Sequence, residues 1–116
     1  MKKNKLKKLI TDIFVKHKLS KNHAKICSEA LVNAELVGAP THGLTRLKMY
    51  CDRINKKVIN PKPKIKIKKI SQSISHIDAD DSIGFVAADM AIKKAISNAK
   101  KTGIGLVAVR NSGHYG

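Results

Sequence analysis

Apolar positions recur along this chain in two rhythms, and the change between them near residue 64 divides it. Leu6, Leu9, Ile10, Ile13, Phe14 and His17 lie three and four apart, which predicts an amphipathic helix over about residues 5–18. Ser20 is placed to cap a second helix, whose stripe is Ala24, Cys27, Ala30, Leu31 and Ala34. Gly38 and Pro40 end it. A third helix is expected from Thr41 or Gly43 to about Lys57, with Leu44, Leu47, Cys51, Ile54 and Val58 as its core face. Asn60-Pro61-Lys62-Pro63 cannot continue that helix.

From Lys64 the period falls to two. Ile65, Ile67 and then Ile70 interleave with Lys66, Lys68 and Lys69, the pattern of an edge strand, and Ser73 to Asp78 reads as its partner. Asp78-Ala79-Asp80-Asp81-Ser82 is expected to form an acidic turn that caps a fourth helix. That helix should bury Phe85, Ala88, Ala91, Ile92, Ala95, Ile96 and Ala99 and end at Gly103. Residues 104–109 are apolar on both faces, as a central strand would be. The pattern predicts an α/β chain: a three-helix segment over 1–60, then the incomplete beginning of an α/β domain over 61–116.

Composition narrows the function classes. The 116 residues carry 24 Lys+Arg against 8 Asp+Glu, a net charge of +16, which invites a nucleic-acid reading. Only Arg46, Arg53 and Arg110 are arginines, and aromatic residues make up 3% of the chain. Guanidinium forks for bases and a stacking platform for single strands are therefore both poorly supplied. The lysines fall in short scattered tracts, as on a solvated basic surface. Cys27 and Cys51 sit on helical stripes with no CxxC and no metal spacing, which suits a reducing cytoplasm. The basic start is followed by alternating Lys, Leu and Ile, with neither a signal-type apolar run nor a membrane span.

Two segments could carry chemistry. In Thr41-His42-Gly43-Leu44-Thr45-Arg46-Leu47-Lys48-Met49-Tyr50, a helix starting near Gly43 would put Arg46, Tyr50 and Arg53 on one face and His42 at its N-terminus. Arg can grip a carboxylate, Tyr can donate to it, and His can pass a proton. On spacing alone His42 could equally be a cap, and Arg46 with Tyr50 an ordinary surface pair. The second segment is Asn111-Ser112-Gly113-His114-Tyr115-Gly116, where two glycines flank one imidazole. By itself it could be a strand-end turn. The five histidines make no metal triad, and GxGxxG, GxxxxGK[ST] and a nucleophile elbow are all absent.

Taken together, four blocks are specific in their order and spacing. They are Pro40-Thr41-His42-Gly43 through Tyr50, Ile59-Asn60-Pro61, Ile77-Asp78-Ala79-Asp80-Asp81-Ser82-Ile83-Gly84, and Gly103 through Arg110-Asn111-Ser112-Gly113-His114-Tyr115-Gly116. They resemble the type-2 malate/L-lactate dehydrogenase family, which also includes ureidoglycolate, sulfolactate and diketogulonate oxidoreductases and cyclic-imine reductases. Its motifs are Ser/Thr-His-Gly with Arg four residues after the Ser/Thr-His step, and Arg-Asn-Ser-x-His-Phe/Tyr-Gly. The resemblance implies a non-Rossmann fold and interconversion of a 2-oxo acid and a 2-hydroxy acid with NAD(H) or NADP(H). It implies His42 or His114 as the acid/base, Arg46 on the substrate carboxylate with Tyr50 nearby, and a homodimer for the full-length enzyme. Lys57 and Ala79 stand where family members usually carry Gly. Members continue far beyond residue 116, where most cofactor contacts lie. The chain is therefore expected to be the front part of such an enzyme, inactive alone. The alternatives are a non-catalytic remnant and, behind it, a small basic nucleic-acid binder.

Overall fold

The computed structural model describes residues 2–114 and contains two compact units, the first ending at Lys62 and the second beginning at Pro63. The first holds helices α1 (Lys3–Lys16), α2 (Lys21–Leu36) and α3 (Leu47–Asn55). α1 and α2 pack together, burying Ile10, Phe14, Ala24, Cys27 and Leu31. A polar contact crosses the pair, Thr11 Oγ1 to Ser28 Oγ at 2.8 Å, and Lys7 pairs with Glu29 at its rim. Ser20 caps α2 as its sequence position implies, its hydroxyl accepting from the His23 N–H at 3.1 Å.

All three helices of this unit stop in the same way. In α1 the Lys18 and Leu19 amides donate to Val15 O and Phe14 O; in α3 the Lys57 and Val58 amides donate to Ile54 O and Arg53 O. In α2 Gly38 and Ala39 donate to Glu35 O and Ala34 O. This paired closure puts one residue in the left-handed region, and φ is +74° at Lys18, +78° at Gly38 and +61° at Lys57.

The third helix departs from its expected span and face. Two 3-10 turns, Pro40–His42 and Leu44–Arg46, precede it, so the α-helix begins only at Leu47. A 3-10 turn advances 120° per residue against 100° in an α-helix, which breaks the phase of the apolar stripe upstream of Leu47. Cys51 and Ile54 are buried as expected and Tyr50 joins them, while Leu44 and Val58 are exposed. Val58 lies beyond the left-handed residue that ends the helix.

The second unit is a three-stranded sheet, β1 (Lys66–Lys69), β2 (Ile74–Ser82) and β3 (Leu106–Ser112), with helix α4 (Gly84–Thr102). Strand order is β1-β2-β3, antiparallel between β1 and β2 and parallel between β2 and β3. The β2–α4–β3 run is thus a crossover unit. β2 is central and buries Ser75, Ile77 and Ala79 in strict alternation. β1 is exposed throughout and edged with lysine, as its pattern implied. β3 forms the other edge among the described residues, not the central strand its apolar run suggested.

Two further expectations change here. Residues 78–82 are not a capping turn but the end of β2, and Ile83, which precedes α4, makes no side-chain cap. α4 buries Gly84, Val86, Ala87 and Asn98, whereas Ile92 and Ile96 are exposed. The face toward the sheet is the small one because the backbone comes close there. A Cβ at Gly105 would collide with the Ala95 carbonyl and lie 3.0 Å from Ala99 N. Asn98 closes that face by donating to Ser75 Oγ at 3.1 Å. Gly103 ends α4 at φ +88°, as expected.

A left-handed conformation costs an L-residue roughly 1–2 kcal/mol, part of which glycine returns through its greater freedom in the unfolded chain. Lys57→Gly should therefore stabilise the first unit by about 0.5–1 kcal/mol. Urea unfolding of the two proteins measures this. Equal or lower stability in the glycine variant would place residue 57 outside the left-handed region.

Candidate active-site turns

The first candidate site is the segment after α2. Its two 3-10 turns are closed by His42 N–H to Ala39 O, Gly43 N–H to Pro40 O and Arg46 N–H to Gly43 O, at 3.0–3.1 Å. The Thr45 hydroxyl braces them from the side, donating to Pro40 O at 2.9 Å. Thr41 joins two of the candidate side chains. Its hydroxyl is hydrogen-bonded to His42 Nδ1 at 3.1 Å, and its carbonyl accepts from Arg46 Nε at 2.8 Å. With Nδ1 held, Nε2 is the ring nitrogen placed to exchange a proton with a ligand. Arg46 also points Nη1 at Met49 Sδ, 3.6 Å away, so its guanidinium plane is fixed at two points.

His42 does not sit at an α-helix N-terminus. It ends a three-residue 3-10 turn, and α3 starts five residues later. Tyr50 is not on an open face with Arg46. It is 1% exposed, and burial pushes its hydroxyl pKa up while the nearby Arg46 and Arg53 charges pull it down. The structure thus brings His42, Thr41 and Arg46 together and sets Tyr50 in the core within reach of the Arg46 charge.

The second candidate site is the turn after β3. Gly113 N–H donates to Ser82 O at 2.9 Å, tying the turn to the end of β2. A Cβ at Gly84 would lie 2.6 Å from Gly113 O and 2.7 Å from His114 C, so the turn rests directly on the first residue of α4. The His114 side chain is exposed. Tyr115 and Gly116 of the motif lie outside the described residues. His42 belongs to the first unit and His114 to the second.

Arg110 and Asn111 of the same motif have a structural task. Asp78 receives Asn111 Nδ2 and the Asp80 N–H at 3.1 Å on one carboxylate oxygen, and Arg110 Nη2 at 3.1 Å on the other. Asp78 pairs with Arg110 and Ser82 with Ser112, so β2 spends four residues where β3 spends two. Asp80, Asp81 and Asn111 take φ of +51° to +59° to make this bulge. The donors hold the Asp78 carboxyl below its ordinary value of 3.8, Asn111 contributing most. Its companion position Ser82 has a buried hydroxyl with no hydrogen-bond partner among the described residues.

A family model for malate/L-lactate dehydrogenase matches residues 1–116. The chain belongs to that family. Its fold is 0.96 by TM-score to sulfolactate dehydrogenase from Methanocaldococcus jannaschii, with 40% identity over 100% of this chain and 34% of that one. Malate dehydrogenase from Pyrococcus horikoshii gives a TM-score of 0.95 and 40% identity over 98% and 33%. Ureidoglycolate dehydrogenase (NAD(+)) of Escherichia coli is 32% identical over 96% of this chain and 32% of its own. The chain spans about a third of the length of the curated relatives it matches.

Three further ionisable groups of the first unit have surroundings set by the helices. His17 Nδ1 bonds Ile13 O, burial lowers the His23 pKa, and burial pushes the Cys27 thiol up to about 12. A cavity of about 520 Å³ in the first unit is lined by Lys16, Lys18 and Lys57 and takes in neither His42 nor Arg46. Among the described residues no group of three or more His, Cys, Asp or Glu could hold a metal ion, and no helix is long and apolar enough to cross a membrane. For a dinucleotide the fit is partial. Thr41, His42 and Arg46 bring a hydroxyl, an imidazole and a guanidinium together, and Tyr50 is buried in the core, where it offers no stacking surface.

A carboxylate whose pKa is lower folded than unfolded adds stability above its unfolded pKa and loses it as pH falls through the folded value. Asp78→Asn should therefore cost stability most above about pH 4, with the deficit shrinking at lower pH. Denaturant unfolding of both proteins between pH 7 and pH 2 reads this out. A deficit that stays constant over that range would remove the ionised Asp78 cluster as its source.

Proposed function

We propose that the chain supplies the acid/base and carboxylate-binding part of a nicotinamide-dependent dehydrogenase acting on a small 2-hydroxy or 2-oxo acid. The observation that carries this reading is the Thr41 clasp, which orients an imidazole and a guanidinium from one residue. Arg46, its plane already set, offers the paired N–H donors that a carboxylate accepts in a fork. His42 presents Nε2 to the oxygen next to that carboxylate, giving a proton as the oxo group is reduced or taking one in the reverse direction. His114 is the second candidate for the same proton. The nicotinamide, NAD(H) or NADP(H), supplies the hydride when bound. Names among the relatives (malate, sulfolactate and ureidoglycolate dehydrogenases) support the hydroxy-acid class, and one of them specifies NAD(+). A homodimer in a reducing cytoplasm completes the reading, consistent with two buried thiols.

A second reading is favoured by exposed apolar side chains in the second unit. Ile92, Ile96, Ile104 and Leu106 are each about half exposed or more, and β3 is an edge strand. A polypeptide of these 116 residues alone is then a non-catalytic form of the same fold, with no useful NADH affinity.

Replacing the matching third of the Pyrococcus horikoshii malate dehydrogenase by this chain separates the two. The chimera is expected to oxidise malate. In it, Arg46→Lys should raise KM by at least ~10-fold, since lysine keeps the charge and loses the fork. His42→Ala or His114→Ala should lower kcat by ~10²–10⁴-fold, the usual worth of a positioned proton donor. Near-normal turnover and pH dependence in both alanine variants would exclude both histidines as the acid/base.

A further inference from the structure

Glu35 is the last acidic residue of α2, and the sequence offers no reason to single it out. Its backbone carbonyl accepts from Gly38 N–H in the closure of the helix. Its side chain turns onto the following loop, where Oε1 accepts from Leu44 N–H at 2.8 Å. Leu44 opens the second 3-10 turn, the one that ends at Arg46. Gly43 between the two turns is buried beneath the carboxylate. A Cβ there would collide with Glu35 Oε1 and lie 2.8 Å from Glu35 Cδ.

We propose that Glu35 is a positioning residue for the substrate-binding turn: its carboxylate, seated on Gly43, holds Leu44 N–H and thereby fixes the second 3-10 turn that carries Arg46. The inference rests on the reading of Arg46 as the carboxylate ligand. An N–H at the start of a helical turn has no partner within the turn, and the Glu35 oxygen supplies the missing acceptor. The Glu35–Leu44 bond links α2 to the second turn, while the Thr41–Arg46 bond links the first turn to it. Arg46 is thus constrained from both sides of Gly43. The pairing also gives glycine at 43 a specific reason. Any side chain there must push away the carboxylate, a flexible end that can move but only by releasing Leu44.

The acceptor at Oε1, not the charge as such, is what the turn requires. Glu35→Gln keeps that oxygen and the length of the side chain, and Glu35→Ala removes both. In the chimera Glu35→Ala should raise KM for the hydroxy acid at least ~10-fold with kcat changed less than ~3-fold, and Glu35→Gln should stay within ~3-fold of the parent in both. Gly43→Ala should behave like Glu35→Ala, and the double variant should be no worse than either single one. In ¹⁵N-labelled 116-residue protein the Leu44 amide should exchange with solvent at least ~10-fold faster in Glu35→Ala and Gly43→Ala than in the parent. Unchanged Leu44 exchange in Glu35→Ala, or a Glu35→Gln protein as impaired as Glu35→Ala, would overturn the proposal. An inactive chimera with an intact Leu44 exchange difference would instead count against the dehydrogenase reading and leave Glu35 as the brace of the turn.

Discussion

Two backbone hydrogen bonds at the end of α2, Gly38 N–H to Glu35 O and Ala39 N–H to Ala34 O, decide where His42 and Arg46 can be. They require residue 38 at φ +78°, a conformation glycine adopts at little cost. Pro40 follows two residues later and has no N–H to resume the helix. The chain instead takes two successive 3-10 turns, in which side chains three apart eclipse one another. That tight winding lets one residue, Thr41, reach His42 with its hydroxyl and Arg46 with its carbonyl. An uninterrupted α-helix through 41–47 would commit the Thr41 carbonyl to the backbone N–H of residue 45 and withdraw it from Arg46.

In the second unit the equivalent task falls to a strand irregularity. β2 must absorb two residues more than β3 between their last pairs, and three non-glycine residues go left-handed to do so. All three are Asp or Asn, whose short polar side chains bond locally and tolerate that region. Asp78 gathers the bulge with Arg110 and Asn111 at the point where β3 leaves the sheet toward His114. Arg110 and Asn111 therefore belong to the support of the turn.

Much of this was legible in the sequence wherever a residue acts through its own backbone or cap. Ser20, Gly38, Gly103 and the break at 59–63 mark element ends by local chemistry, and the order of the four motif blocks was enough to specify the family. Side-chain faces were less legible. Leu44 reads as core only if a 3.6-residue period runs on through a segment that winds at 3.0, whereas Tyr50 lies within the regular α3, one residue from Cys51 and four from Ile54, and shares their buried face. In α4 the apolar stripe of Ile92 and Ile96 is real, yet the sheet packs on the smaller side, where Gly105 needs close approach. The acidic run 78–82 suggested a cap because Asp and Ser favour caps in general. Its left-handed residues are equally suited to a bulge, and only the pairing with β3 distinguishes the two. Glu35 carried no local signal at all, because its partner is nine residues away across a turn.

The two candidate sites differ in what their geometry depends on. Every bond that braces His42 and Arg46 joins residues between Ala34 and Met49, so the turn closes through short loops that cost little entropy. The His114 turn depends on Asn111 reaching Asp78 across 33 residues and on Gly113 reaching Ser82, and both require the sheet to have paired first. That sheet is small, with β3 at its edge and Leu106 exposed. The His42 turn is thus braced locally, whereas the His114 turn is tied to the sheet. A disturbance of the exposed β3 edge would move His114 while leaving the Thr41 clasp in place. Of the two histidines, His42 is the one whose ring takes a hydrogen bond, to Thr41, from within the first unit.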